Sequence, residues 1–243
     1  RKIIARCIEH TAKLPEVAKS LTDPLCIGYF IDNELNFGNR GRQTFGDSVL
    51  KSPAQQAAKR EWVNDLKSRY GKIEKLNRAW ETTYADWDAV LAGSDVPQSK
   101  AYLADSDRFF VKAVEQYFRL CRDAVKSAAP NRLYLGCRFI STDAVRRVLF
   151  DASKKYCDVL SVNVYAHSTA NLGADKFPDM PVMIGEFHFG ILDRGMFSAG
   201  LAPAGVTQAE RAVAYTRFLQ GALVHPNIVG AHWFQFRDQP LTG

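Results

Sequence analysis

Residues 181–190 read PVMIGEFHFG. An apolar run of this kind, without polar alternation, describes a strand covered on both faces, as in a parallel sheet lying between layers of helix. The run ends on a carboxylate, Glu186, followed by Phe187, His188, Phe189 and a glycine. A charge beside Ile184 and Phe187 is costly unless it is hydrogen-bonded or put to use. A second segment has the same design: LCIGYFI at 25–31 closes on Asp32, Asn33 and Glu34. Two buried strands, each delivering a glutamate at its C-terminal end, point to paired carboxylates across one pocket. That is the arrangement that hydrolyses glycosidic bonds.

The rest of the chain alternates around these two segments. Strands are predicted at 25–33, 133–140, 158–165, 181–189 and 228–236. Residues 1–20 read as a helix end. Further helices are predicted at 55–70 with Gly71 as C-cap, at 73–80, at 105–129 stopped by Pro130, from a Thr142-Asp143 cap through 155, and at 207–224. The polar, glycine-bearing stretch 38–53 is placed as a loop over the substrate cleft. Such alternation implies right-handed parallel crossovers, and therefore either a doubly wound sheet or a (β/α)8 barrel. Every predicted strand carries a polar or aromatic group at its C-terminal end: Asn33 and Glu34, Arg138, Asn163 and Tyr165, Glu186 and His188, Trp233 and Gln235. A ring of functional strand ends is the habit of the barrel, whereas a doubly wound sheet gathers its site at one switch point. No strand is followed by G-x-G-x-x-G, so the α/β barrel is the reading adopted.

Composition narrows the chemistry. A net charge of +6 from 32 basic and 26 acidic residues, with no basic block, gives no sign of nucleic-acid binding. The five cysteines are scattered without a C-x-x-C pair; Cys26 and Cys137 fall inside apolar strands and read as buried small hydrophobes. The five histidines include no H-x-x-x-H or H-E-x-x-H pattern, so no metal site is expected, and no G-x-S-x-G elbow is present. No apolar run is long enough to span a membrane and no signal peptide is visible, but the chain opens on Arg1 without an initiator Met and reads as a piece of a longer protein.

Four segments, GYFIDNE at 28–34, YGKIEKLNRAW at 70–80, IGEFHFGILDRGMF at 184–197 and HWFQFRDQ at 232–239, together resemble the β-agarases of glycoside hydrolase family 50. They are similar, more loosely, to the family 42 β-galactosidases of the same retaining barrel clan. The resemblance implies that the five strands are the fourth to eighth of the barrel, that the first three strands and the last helix are missing, and that residues 1–243 are the C-terminal part of the catalytic domain. It also implies Glu34 as acid/base and Glu186 as nucleophile of a double displacement on a galactan polysaccharide or oligosaccharide, without a cofactor. Asn33 is expected on the sugar 2-hydroxyl, Tyr165 as donor to Glu186, Trp233 as stacking platform and His188 as a hydrogen-bonding group. Arg138, Asn163 and Gln235 complete the substrate-binding set, with an ion-pairing role for Arg138 left open beside it. A β-galactosidase acting on small galactosides and a noncatalytic carbohydrate-binding remnant stand as alternatives. A polymer substrate implies an extracellular or periplasmic location.

Overall fold

The computed structural model describes residues 2–35, 37, 45–140, 143–170, 172–235 and 237. In chain order the elements are α1 (Lys2–Thr11), α2 (Pro15–Thr22), β1 (Gly28–Tyr29), α3 (Phe45–Leu50), α4 (Ala57–Tyr70), α5 (Ile73–Trp80), α6 (Trp87–Ala92), α7 (Lys100–Ala128), β2 (Leu133–Tyr134), α8 (Asp143–Tyr156), β3 (Leu160–Asn163), β4 (Val182–Phe187), α9 (Gln208–Val224) and β5 (Ile228–Trp233). A short 3-10 turn, Ala174–Lys176, lies between β3 and β4. The chain forms two compact units, one from residues 1–35 and 117–243, the other from residues 36–116.

In the first unit every strand pairing among the described residues is parallel. β1 pairs with β2 through Gly28 and Leu133, β3 with β4, and β4 with β5. Phe139, beyond β2, bridges to Val162 of β3. The pairings therefore run in chain order with no reversal. Among the described residues this is the strand order of a barrel wall, without the reversal that makes the switch point of a doubly wound sheet. Phe118, Cys121 and Val125 of α7 are buried beneath it with Tyr134, Leu135, Cys137 and Phe139.

The first two strands are shorter than predicted. The stretch 25–33 keeps a regular ladder only at Gly28–Tyr29, because Asp32 and Glu34 adopt positive φ (60° and 54°) and leave the extended region. The stretch 133–140 breaks for the same reason at Gly136 (φ 78°) and Arg138 (φ 52°). Residues 1–20 form two helices instead of one, since Pro15 has no N–H to continue α1 and suits the first turn of α2.

The second unit is helical. Trp62, Val63, Leu66, Leu76, Trp80, Val90, Tyr102 and Phe109 form its core, with Trp62 stacked on Phe109 at 5.3 Å. Gly71 ends α4 at φ 71°, as its lack of a Cβ allows, and donates to the Lys67 carbonyl. Sequence pattern missed α6, which the Asp86 side chain caps at Ala89 N–H (2.8 Å). It also started α7 late: Ser99 Oγ accepts from Tyr102 N–H and begins that helix at Lys100. Residues 38–44 of the expected cleft loop, and the Thr142 cap, lie outside the described residues, while 45–50 is helical. All five cysteines are free. Cys121, Cys137 and Cys157 are buried, but Cys26 is half-buried, less than its place in an apolar run suggested.

Candidate active site

Five backbone segments of the first unit deliver the candidate residues to the C-terminal side of its parallel strands. Past β1, Ile31 N–H donates to the Gly136 carbonyl (3.0 Å) and Glu34 N–H to the Cys137 carbonyl (2.8 Å). These bonds tie the Asp32-Asn33-Glu34 turn to the stretch that carries Arg138. Asn163 closes β3 and lies opposite Glu186 in the ladder, where a register shift turns the Glu186 side chain to the same side.

Asn163 meets the Glu34 side chain and stands beside the Glu186 backbone. Its Nδ2 donates to Glu34 Oε1 at 2.5 Å, while its backbone pairs across the ladder with Glu186. Glu186 is 4% exposed. Arg138 Nη1 stands 3.3 Å from its Oε1, and the Tyr165 hydroxyl donates to its Oε2. Burial, that hydrogen bond, and the charges of Glu186 and Glu34 push the Tyr165 hydroxyl well above the ordinary phenol range. It therefore remains a donor at any working pH.

Arg138 is itself fixed. Its guanidinium lies over the Phe30 ring (5.3 Å), and its backbone N–H donates to Ser161 Oγ (3.0 Å), which in turn donates to the Leu135 carbonyl. Gly185 makes room for this arrangement. A Cβ there would stand 2.7 Å from Arg138 Cγ and 2.9 Å from Asn163 Oδ1.

His188 meets Tyr165 edge to face at 5.0 Å. Burial, then the nearby Arg211 cation, holds its imidazole below the ordinary range, against a smaller opposing effect of Glu186. Trp233 packs against Phe187 (5.4 Å) and Tyr215 (5.5 Å), with Arg211 over its ring at 5.2 Å. It also lines a cleft with His188, Gln235 and Arg211. Asn33 is exposed beside Glu34.

The structure thus gathers Glu34, Arg138, Asn163, Tyr165, Glu186 and His188 into one contact network, and puts Trp233 and Gln235 along the adjoining cleft. Sequence reading passed over Tyr117, whose hydroxyl donates to Asp32 (2.6 Å), and His232, whose ring meets Phe30 edge to face at 6.1 Å. Two-residue alternation along β5 puts His232 on the opposite face from Trp233. Tyr117 left no signal in the sequence, because a tyrosine in an amphipathic helix reads as core. Among the described residues no cluster of His, Cys, Asp and Glu is suited to hold a metal, and no helix is long and apolar enough to cross a membrane.

A family model described as Glyco_hydro_42, beta-galactosidase, matches residues 7–196. Beta-agarase A of Vibrio sp. (strain JT0107) is 37% identical over 237 residues, covering 89% of this chain and 23% of its own. Beta-agarase B of the same strain is 34% identical over 244 residues, covering 95% and 25%. Among solved structures, that of an exo-beta-agarase superposes with a TM-score of 0.85 at 33% identity, over 100% of this chain and 33% of that one. The chain spans about a quarter of the length of these curated relatives.

Proposed function

The chain belongs to the Glyco_hydro_42 (beta-galactosidase) family of glycoside hydrolases, and we propose that it carries the catalytic centre of a retaining enzyme that cleaves β-galactosidic bonds of agarose-type galactans. The observation that carries this reading is Asn163, hydrogen-bonded to Glu34 and laddered to Glu186, because it ties together glutamates from two different strand ends. A retaining mechanism asks for two carboxyl groups about 5–5.5 Å apart on either side of the scissile bond. Likeness to β-agarases A and B supports the galactan substrate.

The reaction is a double displacement. The Glu186 carboxylate attacks the anomeric carbon as the glycosidic C–O bond breaks, and the Glu34 carboxyl gives its proton to the departing oxygen. Glu34, now a carboxylate, takes a proton from water; the water oxygen bonds to the anomeric carbon and the ester to Glu186 breaks. The product keeps its configuration. Arg138 and Tyr165 serve Glu186 as charge partner and donor and keep the attacking oxygens in place. Asn163 holds Glu34, Asn33 reaches the sugar 2-hydroxyl, and His188, Trp233 and Gln235 line the path of the chain of sugars. Carboxylates and water suffice, so no cofactor is invoked.

In this reading β1 to β5 are the fourth to eighth strands of a (β/α)8 barrel, and residues 1–243 are the C-terminal part of its catalytic domain. The sequential parallel order of the strands supports it. A polymeric substrate makes the enzyme extracellular or periplasmic. One observation favours a second reading, a β-galactosidase on small galactosides: the description of the family model.

The test is product release by the full-length protein containing this chain, from neoagaro-oligosaccharides and from an aryl β-galactoside, with Glu186→Ala and Glu34→Ala beside the wild type. Cleavage of the oligosaccharides, abolished by either change, is expected. Cleavage of the aryl galactoside alone would favour the second reading. Binding to agarose with no cleavage of either substrate would leave a noncatalytic sugar-binding remnant.

A further inference from the structure

At the end of β1 the chain enters the left-handed region twice in three residues, at Asp32 (φ 60°) and at Glu34 (φ 54°). That basin is small for any residue with a Cβ; aspartate tolerates it better than glutamate, whose longer side chain does not reach its own backbone as readily. A turn of this kind persists when its surroundings over-determine it. Backbone bonds to Gly136 and Cys137 hold one side of it.

Tyr117 of α7 holds the other. Its hydroxyl donates to Asp32 Oδ2 at 2.6 Å and lies 3.4 Å from the Ile31 carbonyl oxygen. The ring is anchored edge to face on Phe118 (5.1 Å), which is fully buried against Tyr134 and Phe139. Burial, followed by the bond to Asp32, pushes the Tyr117 hydroxyl far above the phenol range, so it stays a donor. The carboxyl group of Asp32 is therefore engaged on the helix side, while Glu34, two residues on, reaches Asn163 at 2.5 Å. If Asp32 relaxed to the extended region the following peptides would rotate, and Glu34 would leave that bond.

We infer that Tyr117 and Asp32 are a positioning pair that aims the Glu34 carboxyl group at the scissile oxygen without touching the substrate. The inference rests on the reading of Glu34 as general acid. It explains why two acidic residues flank Asn33: Asp32 holds the turn and Glu34 uses it.

A positioning role has a signature that loss of fold lacks. Protonation matters most for poor leaving groups, so the test uses the full-length protein and aryl β-glycosides of the sugar it cleaves, graded by leaving-group acidity. Tyr117→Phe keeps the ring packing and removes the hydroxyl. It is expected to lower kcat/KM about 10- to 100-fold on the poorest leaving group, part of the 10²–10⁴-fold that general acid catalysis supplies, and no more than about 3-fold on a dinitrophenyl glycoside. Asp32→Ala should reproduce the pattern, whereas Asp32→Asn, which retains an oxygen acceptor, should recover most of the activity. Glu34→Ala should show the same dependence more steeply. An equal loss across all leaving groups, or no loss, in Tyr117→Phe and Asp32→Ala would overturn the inference while Glu34→Ala keeps its slope. A flat Glu34→Ala series would instead overturn the assignment of Glu34, and the positioning pair with it.

Discussion

Gly185→Ala adds one carbon and two hydrogens to the chain, and the geometry forecasts a disproportionate loss. The φ of Gly185 is not in the left-handed region, so the backbone accepts an alanine and the effect is steric. The new Cβ would meet Arg138 Cγ at 2.7 Å, Arg138 Cδ at 2.8 Å and Asn163 Oδ1 at 2.9 Å. Carbon atoms rest at about 3.5–4.0 Å, so these groups must retreat by about 1 Å. The contacts fall in the middle of the Arg138 side chain, pinned at one end by Glu186 and over its guanidinium by Phe30, not at a free tip. Retreat lengthens the Arg138–Glu186 pair beyond its present 3.3 Å and draws Asn163 away from Glu34. Hydrogen bonds to charged groups contribute about 1.5–3 kcal/mol each, so loss of one of them lowers kcat/KM about 10- to 100-fold at about 1.4 kcal/mol per decade. Overpacking adds about 1–3 kcal/mol of destabilisation. Kinetics on the substrate cleaved by the wild type, together with the thermal midpoint, check both. Wild-type kcat/KM with an unchanged midpoint would refute the close approach of Gly185 to its two neighbours as the reason for a glycine there.

Three further expectations follow from the same geometry. Tyr165→Phe removes the hydroxyl that donates to Glu186 and should lower kcat about 10- to 100-fold, by the same 1.5–3 kcal/mol, with KM little changed; a change confined to KM would contradict a role at the nucleophile. Asp105, 2% exposed, accepts from Tyr70 (2.6 Å) and Trp80 (2.8 Å) and pairs with Arg69 and Arg108. Asp105→Ala orphans two donors and should cost the second unit about 3–5 kcal/mol, read by denaturant unfolding with tryptophan fluorescence, and a cost under about 1 kcal/mol would show the network to be dispensable. The depressed pKa of His188, caused first by burial and then by Arg211, means that below about pH 6.5 the unfolded chain takes up a proton that the fold resists. Stability is thus complete above that value and falls as pH drops through and below it; His188→Gln should flatten the thermal midpoint between pH 7 and 5, and an unaltered slope would show that another group titrates.

Local rules settled much of this protein in advance. The apolar run before Glu186 predicted a strand buried on both faces, and Val182–Phe187 is buried throughout. Gly71 ended its helix, and the helix expected at 207–224 is α9, Gln208–Val224. These outcomes depend on sterics and burial within a few residues, which sequence displays directly. It also placed polar groups at strand ends, since successive residues on a strand must alternate in direction. What it could not display were the left-handed turns at Asp32, Glu34 and Arg138, which shorten two strands and are held by partners far along the chain. Nor could it show that Asn163 meets Glu34, that Gly185 yields space to Arg138, or that Tyr117 reaches Asp32. Each of these joins segments from different elements, and their meeting is fixed by parallel register and by a shift in the β3–β4 ladder. Residue type and spacing supplied the chemical groups; the bending of the strand ends, paid for by tertiary hydrogen bonds, decided which of them touch.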